Sequence, residues 1–194
     1  MVKIIIFSIL TLVTFQKGHA QKYSTKKINS AALNIYKIND NSIYSLNKTE
    51  LKIILNSSTT NHTLIVFYAF WCGACQVELP TILKYATQNK KTLSIKLINI
   101  EKDNSNRQFE TKKYLEQINF PMPSFMISEE YGRGKRTKYR NFLKDLLFVK
   151  KVPEKYLGLG ECILFEGDRI VYLSTYDENI TTILNNINNL IFKQ

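Results

Sequence analysis

Along the chain, segments with the apolar pattern of buried strands alternate with segments that have the pattern of helices. The apolar run Leu64–Phe70 predicts a buried strand, and Gln76–Gln88 predicts a helix shortly after it. Leu93–Ile100 predicts a second strand, in the middle of the sheet. Strands that alternate with helices in this way are typical of an α/β domain.

Further elements are predicted on both sides of this centre. Ala32–Ile38 and Ile43–Leu46 predict an N-terminal β-hairpin, because turn-forming residues separate two short apolar segments. Capping-box patterns open two helices, at Asn47–Leu55 and at Ser105–Ile118. Met122–Ile127 predicts the strand that follows the second of these helices.

The C-terminal third begins with an insertion, Ser128–Tyr156, that carries a cluster of cations. We call Arg133–Arg140 the basic run, and we expect a solvated loop there, or else a docking patch for an acidic partner. The apolar residues after it predict a helix. Glu161–Glu166 and Arg169–Ser174 predict a final hairpin, and Asp177 is expected to cap the last helix.

Two of the three cysteines stand where the first predicted strand meets its helix. Cys72 and Cys75 are three positions apart and share a helix face, so they can form a short-range disulfide. Cys72 would lie at the helix N-terminus, where unpaired N–H groups and the helix dipole favour a thiolate. Since the thiolate is the attacking species, we expect Cys72 to be the nucleophile and Cys75 the resolving thiol.

The motif Trp71–Cys75 (Trp-Cys-Gly-Ala-Cys) between a strand and a helix resembles the active site of the thioredoxin superfamily. Glu78 and Pro80, which follow it, resemble the extracytoplasmic TlpA/ResA-like thiol-disulfide oxidoreductases. The resemblance implies an α/β, thioredoxin-like fold with an N-terminal β-hairpin, an inserted helix and strand, and a basic insertion before the final hairpin.

The resemblance also assigns roles to the residues around the cysteines. It implies that Trp71, Gly73 and Ala74 contact the bound substrate beside the disulfide. Glu78 follows Cys75 by one helical turn, so it can face the cysteines and relay a proton if burial raises its pKa.

A cis-proline that faces the disulfide is a further family feature, and here two positions compete for it. Gly160 stands at the expected point before the final hairpin, and it would also contribute to substrate binding. Pro123 is the alternative, although the order of elements favours Gly160. Cys162, two residues later, is expected to be a buried small hydrophobe rather than a third redox thiol.

Other kinds of Cys-x-x-Cys site fit the sequence less well. A zinc site usually needs a second cysteine pair or regularly spaced histidines, and outside the first twenty residues only His62 is present. A peroxidatic site would have a threonine where Ala69 stands. A purely structural disulfide remains as an alternative. No cofactor or metal is expected, because the dithiol itself carries both electrons.

The first twenty residues predict export. Lys3 precedes the apolar run Ile4–Phe15, and small residues at Gly18 and Ala20 mark a cleavage site. We therefore predict a signal peptide over residues 1–20, a thioredoxin-like domain over 21–194, and a periplasmic or secreted location. The net charge of +11 favours acidic partners. An exported protein with a redox motif is not expected to bind nucleic acid.

Together these patterns predict an exported oxidoreductase that reduces disulfides of partner proteins. An upstream electron donor, such as a membrane electron carrier, would reduce it again. The uncharged Gly73-Ala74 pair favours a reductant, because it adds nothing beyond backbone N–H groups to stabilise the thiolate. The alternatives are a disulfide-forming oxidase and a non-catalytic binding module with a structural disulfide.

Overall fold

Strands and helices alternate along most of the chain, as predicted. The computed structural model describes residues 26–27, 43–103, 105–120 and 123–192. Their strands are β1 Lys26–Lys27, β2 Ile43–Leu46, β3 His62–Tyr68, β4 Leu93–Asn99, β5 Ser124–Ile127, β6 Cys162–Glu166 and β7 Arg169–Leu173. Their helices are α1 Lys48–Asn56, α2 Gly73–Gln88, α3 Asn106–Gln117, α4 Lys135–Leu147 and α5 Ile180–Phe192.

All seven strands belong to one mixed sheet, in the order β1-β2-β5-β4-β3-β6-β7. The first five in this order are parallel, whereas β6 is antiparallel to β3 and to β7. The central position of β4 and the final hairpin are therefore confirmed. The inserted strand β5 lies between β2 and β4. The strand predicted at Ala32–Ile38 and the signal peptide lie outside the described residues, and β2 pairs in parallel with both of its neighbours.

Strand β3 is buried along its whole length because helices cover both faces of the sheet. Ile65 and Phe67 contribute to an apolar cluster with α1 and α4. Leu64, Val66 and Tyr68 contribute to a second cluster with α2 and α5. This packing fixes the end of β3, from which the cysteine motif continues.

The basic run was expected to be a solvated loop, and this prediction is wrong. Helix α4 begins at Lys135, and within it the side chain of Lys138 is fully buried and pairs with Glu129 at 3.0 Å. Arg136 and Arg140 both pair with Glu154, at 2.9 and 3.2 Å. Much of the positive charge of the run is therefore balanced within the protein itself.

Side-chain caps define where several helices begin. Asn47 and Glu50 form the predicted capping box of α1, and Ser105 accepts a backbone hydrogen bond at the start of α3. The predicted cap of the last helix is wrong. Asn179, rather than Asp177, accepts the backbone N–H three residues on, at 2.9 Å. None of the helices in the described part of the chain is long and apolar enough to span a membrane.

Candidate active site

Cys72 and Cys75 form a disulfide where β3 passes into α2, as their spacing predicted. Their Cα atoms are 5.2 Å apart. Cys72 is the N-cap residue of α2, and its Sγ accepts the backbone N–H of Cys75 at 3.2 Å. A sulfur in this position lies at the positive end of the helix dipole, which stabilises a thiolate after reduction.

The two cysteines differ in how far a partner protein can reach them. Cys72 is partly exposed, and the neighbouring Gly73 and Ala74 are exposed to solvent. Cys75 is only 2% exposed. A partner disulfide can therefore reach Cys72 first, whereas Cys75 can react only with a group already bound to Cys72.

Gly160 lies against the buried side of the disulfide, on the segment that leads into β6. A Cβ added to it would lie 3.1 Å from Glu78 Oε2 and 4.0 Å from Cys75 Sγ. Its φ of +91° falls in the region that favours glycine. No peptide bond among the described residues is cis, so the backbone at Gly160 is trans. Pro123 precedes β5, which pairs with β2 and β4 and not with β3.

The side chains of Glu78 and Cys75 both approach Gly160, so Glu78 lies on the Cys75 side of α2. It is partly exposed on the second turn of α2, next to Gly160. Burial raises the pKa of the Glu78 carboxyl above its usual value. A carboxyl group in this position can exchange a proton near Cys75 closer to neutral pH than an ordinary glutamate can.

Trp71 stands at the rim of the site and is 44% exposed. Its indole N–H donates to the carboxylate of Glu101, which is fully buried and pairs with Lys135 at 2.8 Å. The cations of Lys135 and Arg107 lie over the indole ring, 4.9 and 5.4 Å from its centre. These contacts fix the orientation of a large exposed side chain beside Cys72.

Glu101 was not predicted as a site residue, although its position offered a clue. It follows the end of β4, and the carboxyl ends of neighbouring parallel strands meet at one edge of a sheet. A polar residue after β4 therefore lies near the motif that follows β3.

A second missed residue, Glu161, is a carboxylate buried behind Gly160. It is 2% exposed, and burial raises its pKa to about 7. Hydrogen bonds from the Tyr139 hydroxyl and the Gly158 N–H, at 2.7 and 2.6 Å, oppose part of that shift. Both donors come from elements that sequence patterns did not connect with the cysteines.

Cys162 is fully buried, and its thiol donates to the carbonyl of Gly160 at 3.6 Å. Burial raises the pKa of this thiol far above its usual value, so it stays protonated. These properties agree with the expected small hydrophobe and not with a third redox thiol.

The described residues contain no group of three or more His, Cys, Asp or Glu side chains that could hold a metal ion. A cavity of about 520 Å³ lies at the other end of the sheet, between the second half of α2 and the start of β4. It does not include the cysteine motif.

Comparisons with known proteins concern the family of the chain. The family model for thioredoxin matches residues 42–144, which is more than half of the chain. Similar solved structures include a thiol:disulfide interchange protein from Chlorobium tepidum, 13% identical, with a TM-score of 0.46 over 68% of this chain and 79% of the other. Thioredoxin f2 from Chlamydomonas reinhardtii is 14% identical, with a TM-score of 0.41 over 79% of this chain and 99% of the other. A search of the curated proteins found no match. On the strength of the family model, the chain belongs to the thioredoxin family.

Proposed function

We propose that this protein is an exported thiol-disulfide oxidoreductase that reduces disulfides in partner proteins. The observation that carries the proposal is the asymmetry of the cysteine pair. Cys72 is accessible at the N-terminus of α2, whereas Cys75 is buried beside Glu78 and Gly160. This arrangement suits a first thiol that attacks and a second that resolves.

The reaction proceeds in two exchange steps. In the first, the Cys72 thiolate attacks one sulfur of the partner's disulfide, and the other partner sulfur leaves as a thiolate and takes up a proton. In the second, Cys75 loses its proton and attacks Cys72 Sγ, which releases the remaining partner sulfur. The partner gains two electrons and two protons, and the protein is left with the Cys72–Cys75 disulfide.

Glu78 acts as the general base in the second step of this proposal. Cys75 is buried, so its thiol needs a nearby base before it can attack. The carboxylate of Glu78, one turn along α2, can accept that proton directly or through one water molecule. Its raised pKa brings it closer to the pKa of a thiol, which favours proton transfer.

The proposed direction of electron flow is supported by the lack of any charged group between the two cysteines. The backbone N–H of Cys75 contacts the sulfur of Cys72 at 3.2 Å, and Gly73 and Ala74 provide no charge. A strongly oxidising pair needs a more stabilised thiolate than this. We therefore favour a reductant over an oxidase, with a separate electron donor.

The TlpA/ResA-like subtype is part of the proposal. Its support is the unit α3–β5, which is inserted between β4 and α4, together with Glu78 and with Pro80 inside α2. Export, and with it a periplasmic or secreted location, rests on the pattern of residues 1–20. A membrane electron carrier would then be the natural upstream donor.

Trapping of the mixed disulfide tests this function. We expect Cys75→Ser protein to accumulate a covalent adduct with a disulfide-containing protein, because the resolving thiol is missing. The Cys72→Ser variant is the matched control and should form no adduct. A binding module with a structural disulfide would form no adduct in either variant, and the wild type would not catalyse the reduction of insulin by dithiothreitol.

A further inference from the structure

Glu161 accepts a hydrogen bond on each of its carboxylate oxygens, one from the turn before β6 and one from α4. Oε1 accepts the backbone N–H of Gly158 at 2.6 Å, and Oε2 accepts the hydroxyl of Tyr139 at 2.7 Å. Tyr139 belongs to α4, and its ring packs on Phe67 of β3, with ring centres 4.9 Å apart. The carboxylate thus links the turn at residues 158–160 to α4, and through the Tyr139 ring to the strand that precedes the disulfide.

The carboxylate lies close against the backbone of the turn at Gly158. A Cβ on Gly158 would lie 2.8 Å from Glu161 Oε1 and 2.9 Å from the Cβ of Tyr176. Only a glycine leaves room for the carboxylate to approach the backbone so closely. The hydrogen bond between Glu161 and the backbone N–H of residue 158 therefore requires glycine at that position.

The far end of the turn is fixed to β3 by two backbone hydrogen bonds. The N–H of Gly160 donates to the carbonyl of Phe67 at 2.8 Å, and the N–H of Phe67 donates to the carbonyl of Glu161 at 3.0 Å. Gly160 itself faces Cys75 and Glu78. Any shift of the turn at Gly158 would consequently move the backbone that borders the disulfide.

Burying a carboxylate costs free energy, because the charged group loses its contacts with water. An apolar side chain of similar size would avoid the cost of removing a charged group from water. The carboxylate gains two hydrogen bonds in return, and one of them goes directly to the turn. This arrangement favours a function for the turn over a role in packing alone.

We propose that Glu161 is a positioning residue for substrate docking, which holds the turn 158–160 in the shape against which a partner polypeptide lies during disulfide exchange. The inference rests on the proposed function, because it requires a protein substrate. It predicts that loss of the two hydrogen bonds at Glu161 weakens docking without changing the chemistry of Cys72 and Cys75.

Three variants at this contact separate docking from chemistry. Glu161→Leu removes both acceptors, and Tyr139→Phe removes one donor while keeping the ring. Glu161→Gln keeps the size and can still accept from Gly158 and donate to the Tyr139 oxygen, so it should rescue docking. Tyr131→Phe is the matched control, because the Tyr131 hydroxyl donates to Asp145 at the same 2.7 Å distance.

The experiment measures kcat and KM for insulin reduction, the rate with oxidised glutathione, and the dithiol–disulfide equilibrium constant. We expect the KM for insulin to rise about five- to tenfold in Tyr139→Phe and about tenfold or more in Glu161→Leu. The glutathione rate and the equilibrium constant should not change, and Glu161→Gln and Tyr131→Phe should match the wild type.

Two results would overturn the inference. One is an unchanged KM for insulin in both Glu161→Leu and Tyr139→Phe. The other is a parallel fall of insulin and glutathione rates, which would assign Glu161 to the stability of the fold. A wild-type protein that reduces neither substrate would instead overturn the proposed function, so the two failures can be told apart.

Discussion

The indole N–H of Trp71 donates to the buried carboxylate of Glu101, thirty positions further along the chain. The bond joins the cysteine motif, which follows β3, to Glu101, which follows β4. Lys135 of α4 forms an ion pair with the same carboxylate. The orientation of the exposed indole is therefore set by the interior of the protein.

Glu101→Ala should free the Trp71 ring. We expect its fluorescence emission to shift to longer wavelength, because the indole gains contact with water. The protein should lose about 1–3 kcal/mol of unfolding free energy, because a buried acceptor and the ion pair with Lys135 disappear. Denaturant unfolding and emission spectra measure both effects. Glu116→Ala, exposed on α3, is the control. An unchanged spectrum would contradict the assigned contact.

Glu78→Gln should slow the second exchange step and remove the part of its pH dependence that comes from ionisation of the Glu78 carboxyl. Burial raises the pKa of Glu78, so in the wild type the rate should climb as the carboxyl ionises at a pH above its usual range. Stopped-flow fluorescence of Trp71 between pH 4 and about 8 would follow this step. If the variant retained the same slope, Glu78 would not be the proton acceptor.

Glu161 should make folding stability depend on pH. Burial raises its pKa from 4.5 to about 7, so the folded state holds the proton more tightly than the unfolded state. Stability from this group is fully present below pH 4.5 and is lost as the pH rises through about 7. The loss is at most about 3 kcal/mol.

Denaturant unfolding of the wild type and of Glu161→Gln at pH 5 and 8 would test this. The stability difference between the two pH values should be smaller in the variant, since an amide does not titrate. If the unfolding free energy changed equally between the two pH values in both proteins, the pKa of Glu161 would not be raised by folding.

Cys162 should not react with thiol reagents in the folded protein. Its thiol is buried and stays protonated. After reduction, a thiol reagent should label the accessible Cys72 quickly and Cys162 only on unfolding. Cys162→Ala should cost about 1 kcal/mol for the small cavity and leave the redox equilibrium unchanged. Rapid labelling of all three thiols would contradict the structure.

Local patterns were enough to predict the elements that position the cysteines. The apolar run of β3, the capping boxes of α1 and α3, and the Cys-x-x-Cys spacing each depend on residues a few positions apart. Glu78 could be placed beside Cys75 for the same reason, because both lie on one face of α2.

Apart from one helix cap, the missed features depend on contacts between distant segments. Tyr139 and Glu161 are 22 positions apart, and only the tertiary fold brings the two side chains together. The burial of Lys138 had no local sign, because a run of cations is typical of an exposed surface. The cap at Asn179 was missed because Asp177 offers an equally good side chain two residues earlier.

The reduction potential of the Cys72–Cys75 pair tests the central claim most directly. Trp71 is the only tryptophan and adjoins Cys72, so its fluorescence can report the redox state in dithiothreitol and glutathione buffers. We predict one reversible two-electron transition in Cys162→Ser protein, closer to about −270 mV than to about −120 mV. A value near −120 mV would indicate an oxidase. The absence of any reversible transition would contradict a catalytic dithiol altogether.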